Sequence, residues 1–339
     1  MSVISFFLKS LIACGSVFLS LFTIGLSPFI SGPIYGMDAE VKSFLEGVFE
    51  NANSWRRFDC LVEIEFVSLD PAGPQSVVTG RHRIIMDKEA EKVLVVKFQE
   101  YENAETPDEN LTKKATFHAL ATVNGLLWFS SDRGGPYKMD LGRLPKILSS
   151  AEIIDPRKIG CVNERGHILG TPDKDWSFEK SYEGMTSGNL IGKAVNGKED
   201  VLVTFKSSYQ DPKDPVSTYS YVFSKESMLP ISTKTSHAIS NGPTFGDDEK
   251  IRWARINDAW VPTLYSGTYQ SMSAKDGGTT FFDESYTYKI HWFSVNEEID
   301  ETVFDSKVCE DRAYALSLID PVKLNATTLL EEEGEKKRK

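Results

Sequence analysis

Carboxylates are the side chains of this sequence best suited to chemistry, and they fall into three arrangements. Asp247-Asp248-Glu249 and the pair Asp211 and Asp214 lie in polar segments where clustered oxygens could hold a cation. Neither has the regular ligand spacing of a calcium loop, and both read first as solvated turns. Glu63 and Glu65 stand two apart, which puts both carboxylates on one side of a strand. Such a pair does acid–base work only inside a cleft. Val62, Ile64 and Phe66 alternate with them, so the apolar set is expected on the covered face and the glutamates in solvent.

The other reactive side chains are dispersed. The five histidines, His82, His118, His167, His237 and His291, form no HExxH and no cluster with metal-ligand spacing. No GxSxG elbow, phosphate-binding loop or dinucleotide glycine pattern is present, and Gly188-Asn-Leu-Ile-Gly192 is too sparse to count as one. Cys60, Cys161 and Cys309 lie far apart without CxxC spacing, which points to neither zinc nor a disulfide-rich scaffold. One disulfide plus one thiol, or three buried thiols, both fit. No catalytic residue, metal or cofactor is assigned, and an enzyme here would have to assemble its site from distant residues.

The elements that carry these residues are mostly strands. Ala39 to Trp55 is the one strongly helical segment of its length: Val41, Phe44, Leu45, Val48 and Phe49 make an apolar stripe at helical spacing. After it, strand patterns run over Leu61–Val67, Ser76–Met86, Lys92–Gln99, Ala115–Phe129, Asp200–Ser208 and Ser217–Ser224. They continue through Ile231–His237, Lys250–Ile256, Trp260–Ser271 and Thr279–Val295. Turn chemistry separates them at Asp70–Pro74, Asn124-Gly125, Asn196-Gly197, Asp211–Pro215, Asn257-Asp258 and Asp276–Gly278. Leu141–Ile147 and Asp155–Ile159 read as short helices or turns. The fold class is therefore α+β, dominated by a large antiparallel sheet. Pro262 cannot donate to a ladder and belongs at a sheet edge, a bulge or a strand start.

The first 36 residues carry one charge, Lys9, and Leu11 to Leu26 carry none, which is the layout of a secretory signal. Cleavage after Gly36, or after Gly32, would leave a mature chain. An uncleaved anchor is a second reading, because the uncharged run reaches the roughly 20 residues that span a bilayer. A lipid on Cys14 of Leu11-Ile-Ala-Cys14 is a third. Residues 37–322 read as one β-rich domain, and 323–339, acidic and then basic, as a disordered tail. The net charge is −11, and −12 once Lys9 leaves with the signal, which disfavours nucleic acid as a partner.

Trp260-Val-Pro-Thr263 after its turn, with Tyr286 to Phe304 and the closing Asn296, Ile299 and Phe304, resembles the C-terminal half of the LolA-like proteins. These are the periplasmic lipoprotein carrier and its outer-membrane lipoprotein-sorting relatives, including divergent ones abundant in planctomycete-type bacteria. The resemblance covers Asp200 to Asp305 and reaches the N-terminal half only through the layout of signal, helix and strands. It implies a curved, unclosed half-barrel of antiparallel strands wrapped around a few helices, with an apolar concavity for acyl chains. It also implies export to the periplasm or cell envelope. This chain is longer, with an inserted middle around Lys158–Glu199, and no basic lipoprotein-contacting residue aligns.

The leading expectation is thus a non-catalytic, monomeric envelope protein that binds an acyl chain or lipoprotein. Phe66, Val95, Trp128, Phe223 and Trp253 are the candidate lining, and each also reads as ordinary core. The alternatives are an envelope module that contacts other envelope proteins and fills its own concavity, and a hydrolase with a dispersed site.

Overall fold

The computed structural model describes residues 39–68, 75–104, 112–140, 156–160, 190–207, 216–238, 244–275 and 278–320. The signal segment, the tail, Leu141–Ile147, Asp211 and Asp214, His167 and Cys161 lie outside them. A helix of 16 residues, α1 (Ala39–Ser54), opens the described chain and buries Val41, Phe44, Leu45, Val48, Phe49 and Ala52, the predicted stripe extended by one turn.

Strands follow: β1 (Arg57–Ser68), β2 (Gln75–Asp87), β3 (Lys92–Ala104), β4 (Thr112–Val123), β5 (Leu126–Ser131), β6 (Gly134–Asp140) and β7 (Leu190–Asn196). The remainder are β8 (Asp200–Ser207), β9 (Val216–Ser224), β10 (Pro230–Ala238), β11 (Thr244–Phe245), β12 (Asp247–Ile256), β13 (Ala259–Lys275) and β14 (Gly278–Val295). They form one sheet in the order β6-β5-β4-β3-β2-β1-β14-β13-β12-β10-β9-β8-β7, with β11 paired on β10. Every pairing is antiparallel, and β6 and β7 are not joined, so the sheet is unclosed.

The tight turns sit where their residue types ask. Asn257 and Asp258 both take positive φ, 45° and 65°, as a two-residue hairpin requires. Asn124 and Gly125 do the same at 51° and 73°, and split Ala115–Phe129 into β4 and β5. Pro262 falls at a break in register between β12 and β13, in an interior strand, and there its missing N–H costs no ladder bond. Its carbonyl accepts from Trp292 Nε1 at 2.8 Å. The strands β6 and β7 were not expected from the sequence. Both end the sheet, where a strand is covered by one neighbour only and needs less apolar pattern.

Two layers of core flank the sheet. On the face that carries α1, Phe58, Cys60, Val62, Ile84, Val95, Leu120 and Trp292 pack with Trp55, while α1 itself packs on Val201, Val203, Phe205, Tyr221 and Phe223. On the other face, α2 (Lys307–Glu310) and α3 (Arg312–Ser317) cover Leu61, Ile85, Leu94, Val96, Phe117 and Ala119. Neighbouring residues of one strand, Leu61 and Val62 or Ile84 and Ile85, are therefore both buried. That is why Val93-Leu94-Val95-Val96 is a continuous apolar run rather than an alternating one. Cys60 and Cys309 are buried in different clusters on opposite faces. Burial pushes the Cys309 thiol up to about 12.

Candidate functional site

Strand register lays the α1 face out in cross-strand rows, because side chains directly opposite one another share a face. The row Trp292, Cys60, Ile84, Val95, Leu120 and Phe129 runs across β14, β1, β2, β3, β4 and β5. It is wholly apolar and mostly buried, and it packs against Trp55, Phe58 and Ile159. The next row, two residues further along each strand, reads Ile290, Val62, His82, Lys97, His118 and Ser131. Here the face turns abruptly polar while remaining buried: His82 is 0% exposed and Lys97 2%.

Beyond it come Ile251, Tyr265, Tyr288, Ile64, Gly80 and Gln99, then Glu249, Gly267, Tyr286 and Phe66, then Asp247, Tyr269, Glu284 and Ser68. In these rows tyrosines replace aliphatic residues. Rings of Tyr265, Tyr286 and Tyr288 lie 5.3–5.7 Å apart, Tyr269 is 6.2 Å from Tyr286, and Phe66 is 6.3 Å from Tyr269. All five side chains are half-buried.

Glu249 is the polar hub of this surface. Its Oε1 accepts from Tyr265 at 2.6 Å and from Tyr286, and its Oε2 accepts from Thr233 Oγ1 at 2.7 Å. The two phenol oxygens themselves lie 3.1 Å apart. Gly267 stands between Glu249 and Tyr286 in the row, and a Cβ there would lie 2.8 Å from the Tyr286 hydroxyl, so its absence opens the contact. Burial holds the phenols of Tyr265, Tyr269 and Tyr286 far above their ordinary range, and the nearby carboxylates add to this. Tyr288 is pushed up to about 12, by burial and then by Glu249. Asp247, on the same face, accepts from Thr235 Oγ1 at 3.0 Å and is raised chiefly by burial.

His82 is the other unusual group. Burial, and after it the charges of Lys97 and His118, hold it well below its ordinary value, so the imidazole is neutral. Among the described residues neither of its ring nitrogens has a hydrogen-bond partner. Among the described residues no group of three or more His, Cys, Asp or Glu side chains is placed to hold a metal ion. No helix among them is long and apolar enough to cross a membrane, which says nothing of strands.

No protein-family model and no curated protein matches the chain. Among solved structures it is similar to a LolA superfamily protein from Nitrosomonas europaea, at 11% identity and a TM-score of 0.34, over 78% of this chain and 96% of that one. It is similar to a proposed outer membrane lipoprotein-sorting protein domain from Vibrio parahaemolyticus at 9% and 0.34, over 80% and 100%. LprF from Mycobacterium bovis follows at 8% and 0.24, over 78% and 96%.

The five side chains expected as lining are placed apart. Phe66 joins the tyrosine rows; Val95 is 1% exposed in the packed apolar row. Phe223 is buried under α1, its ring 5.0 Å from Phe44, and Trp253 links the two clusters with Nε1 donating to Pro230 O at 2.7 Å. Trp128 is on the opposite face, with Lys138 4.2 Å above its ring. The turn at Asn124-Gly125 reverses the odd–even phase, so even residues of β4 and odd residues of β5 share the α1 face. Val62 and Ile64 do lie on the covered face. Glu65 is exposed, and Glu63 is on its side, 3.2 Å from His291 and 3.6 Å from Arg81.

Sequence reading missed Glu249 as a hub and Lys97 altogether. A signal for Lys97 was present: period two places it on the same side as Val93 and Val95, a lysine on an apolar face.

Proposed function

We propose that this is an exported envelope protein that binds one amphiphilic ligand, an acyl chain with its head group or an acylated peptide, on the α1 face without turnover. The observation that carries the reading is the run of five half-buried rings, Phe66, Tyr269, Tyr286, Tyr265 and Tyr288, which continues an apolar face but ends in hydroxyls and the Glu249 carboxylate. Tyrosine offers an apolar body and a polar tip, and binding sites for small amphiphiles combine mostly apolar walls with a few fixed polar groups. The uncharged Leu11–Leu26 supports export, and amino-terminal sequencing of the native protein is expected to begin near Met37.

A second reading has its own support. Trp55, Phe58, Ile159 and Trp292 already pack the apolar rows, as a structural module of the envelope would require. Native mass spectrometry after gentle purification separates the two. Co-purifying fatty acid, phospholipid or acylated peptide supports the carrier. A bare protein mass, with no rise in Tm on adding detergent or acylated peptide, leaves the module.

A further inference from the structure

On the α1 face the change from apolar to polar happens in a single step, at His82 and Lys97. The two are direct partners across β2 and β3, and His118 is the partner of Lys97 across β3 and β4. Below them lie Ile84, Val95 and Leu120, all buried; above them lie Gly80 and Gln99, leading to the tyrosine rows. A buried imidazole with both nitrogens unpartnered costs stability with no return from within the described residues. Lys97, its direct cross-strand partner, lies at the same depth, and its positive charge is felt by the imidazole. Donors of this kind, at the border between an apolar face and an aromatic one, suit an oxyanion attached to an apolar chain.

We propose that His82 and Lys97 together form the binding site for the oxyanion head group, carboxylate or phosphate, of an acyl amphiphile. The proposal rests on the carrier reading above and adds the charge of the ligand to it. Neutral His82 donates one N–H to the oxyanion and Lys97 provides the charge, while the chain lies along Phe66 and the tyrosines. Burial first, and after it the neighbouring Lys97, keep His82 in the neutral form.

The test is calorimetric titration of the purified protein with laurate, lauroyl lysophosphatidylglycerol, the neutral monolaurin and inorganic phosphate. Laurate is expected to bind about tenfold or more tightly than monolaurin, and Lys97→Met to remove about tenfold of that preference, with monolaurin unchanged. His82→Phe is expected to weaken laurate several-fold and, because it deletes two orphaned nitrogens, to raise the Tm of the ligand-free protein by about 2–4 °C. That rise, together with retained monolaurin binding, shows that the variant is folded and keeps the test valid should Lys97→Met fail to fold. The ratio of laurate to lysophosphatidylglycerol affinity tells carboxylate from phosphate. Phosphate alone binding as tightly as laurate keeps the oxyanion site and overturns its lipid source. Equal affinity for laurate and monolaurin, unmoved by either variant, overturns the head-group site and leaves the carrier intact. No binding of any chain overturns both.

Discussion

Asn51 on α1 grips the backbone of Trp260 at both of its polar atoms: Nδ2 donates to the Trp260 carbonyl at 2.9 Å, and Oδ1 accepts its N–H at 3.0 Å. The side-chain amide thus completes the backbone of Trp260 beside the Asn257-Asp258 hairpin, across 209 residues of sequence, while the Trp260 ring packs on the cluster beneath α1. Asn51→Ala removes both bonds and should cost about 2 kcal/mol, and Asn51→Asp, which keeps only the acceptor, about half of that. The midpoint of urea unfolding reads both. Equal midpoints for Ala and wild type would mean that the amide holds nothing in place.

Glu249 gathers three hydroxyls, so its loss takes the acceptor from all three and leaves the Tyr265 and Tyr286 phenols only each other. Glu249→Leu should destabilise by about 3 kcal/mol, and Glu249→Gln by less, because the amide oxygen still accepts. Thermal unfolding of the two variants side by side checks the order.

The tyrosines predict behaviour in alkali. Tyr265, Tyr269, Tyr286 and Tyr288 are all raised above 10.0 in the folded protein, so above that pH the unfolded chain releases protons that the native one keeps. Stability contributed by these groups is complete below about pH 10 and falls as pH rises, with Tyr288 spent by about 12. Following tyrosine ionisation by absorbance, part of the signal should appear only together with unfolding. Smooth titration of every tyrosine near pH 10 in a chain that stays folded would contradict the burial of this cluster.

Gly267 gives a local probe of the same network. Gly267→Ala sets a Cβ 2.8 Å from the Tyr286 hydroxyl and 2.9 Å from the Asp248 carbonyl, an overpacking cost of about 1–3 kcal/mol. Adding Tyr286→Phe removes one of the two clashes, so the double variant should lose less than the sum of the singles. Additive losses would place the strain at the backbone contact alone.

On the opposite face, Arg83 clamps three groups together. It forms a two-pronged pair with Asp59 at 2.8 and 3.0 Å, donates to the Leu318 carbonyl at 3.1 Å and stacks 4.5 Å over Phe293. Burial raises the Asp59 carboxyl despite this partner, so Asp59 alone is poorly solvated. Arg83→Met should cost about 3 kcal/mol, much of it recovered by Arg83→Met with Asp59→Leu, since a buried pair replaced whole is cheaper than one broken. Denaturant midpoints of the two variants decide it.

The elements that the sequence determined by itself are those whose constraint is local. Val41, Phe44, Leu45, Val48 and Phe49 made α1 readable because one helical face must be apolar. Val62 and Ile64 against Glu65 set the orientation of β1, and Asn257-Asp258 and Asn124-Gly125 made their hairpins readable because few other residues accept positive φ. Pro262 announced an irregularity but not its place, since the missing N–H is as harmless at a bulge as at an edge. The tertiary structure alone decided what depends on which strand lies beside which. The edge strands β6 and β7 carry little pattern because they have one neighbour each, and α2 and α3 cover a second face that no alternation in β1 to β4 advertised. His82, Lys97 and His118 lie in three separate strands, as do Glu249, Tyr265 and Tyr286, and only antiparallel register sets each trio in contact. Trp128 shows the same dependence from the other side, because a two-residue turn reverses the phase of everything after it. Side-chain period is written in each strand, but the pairing that turns period into a surface is a property of the whole sheet.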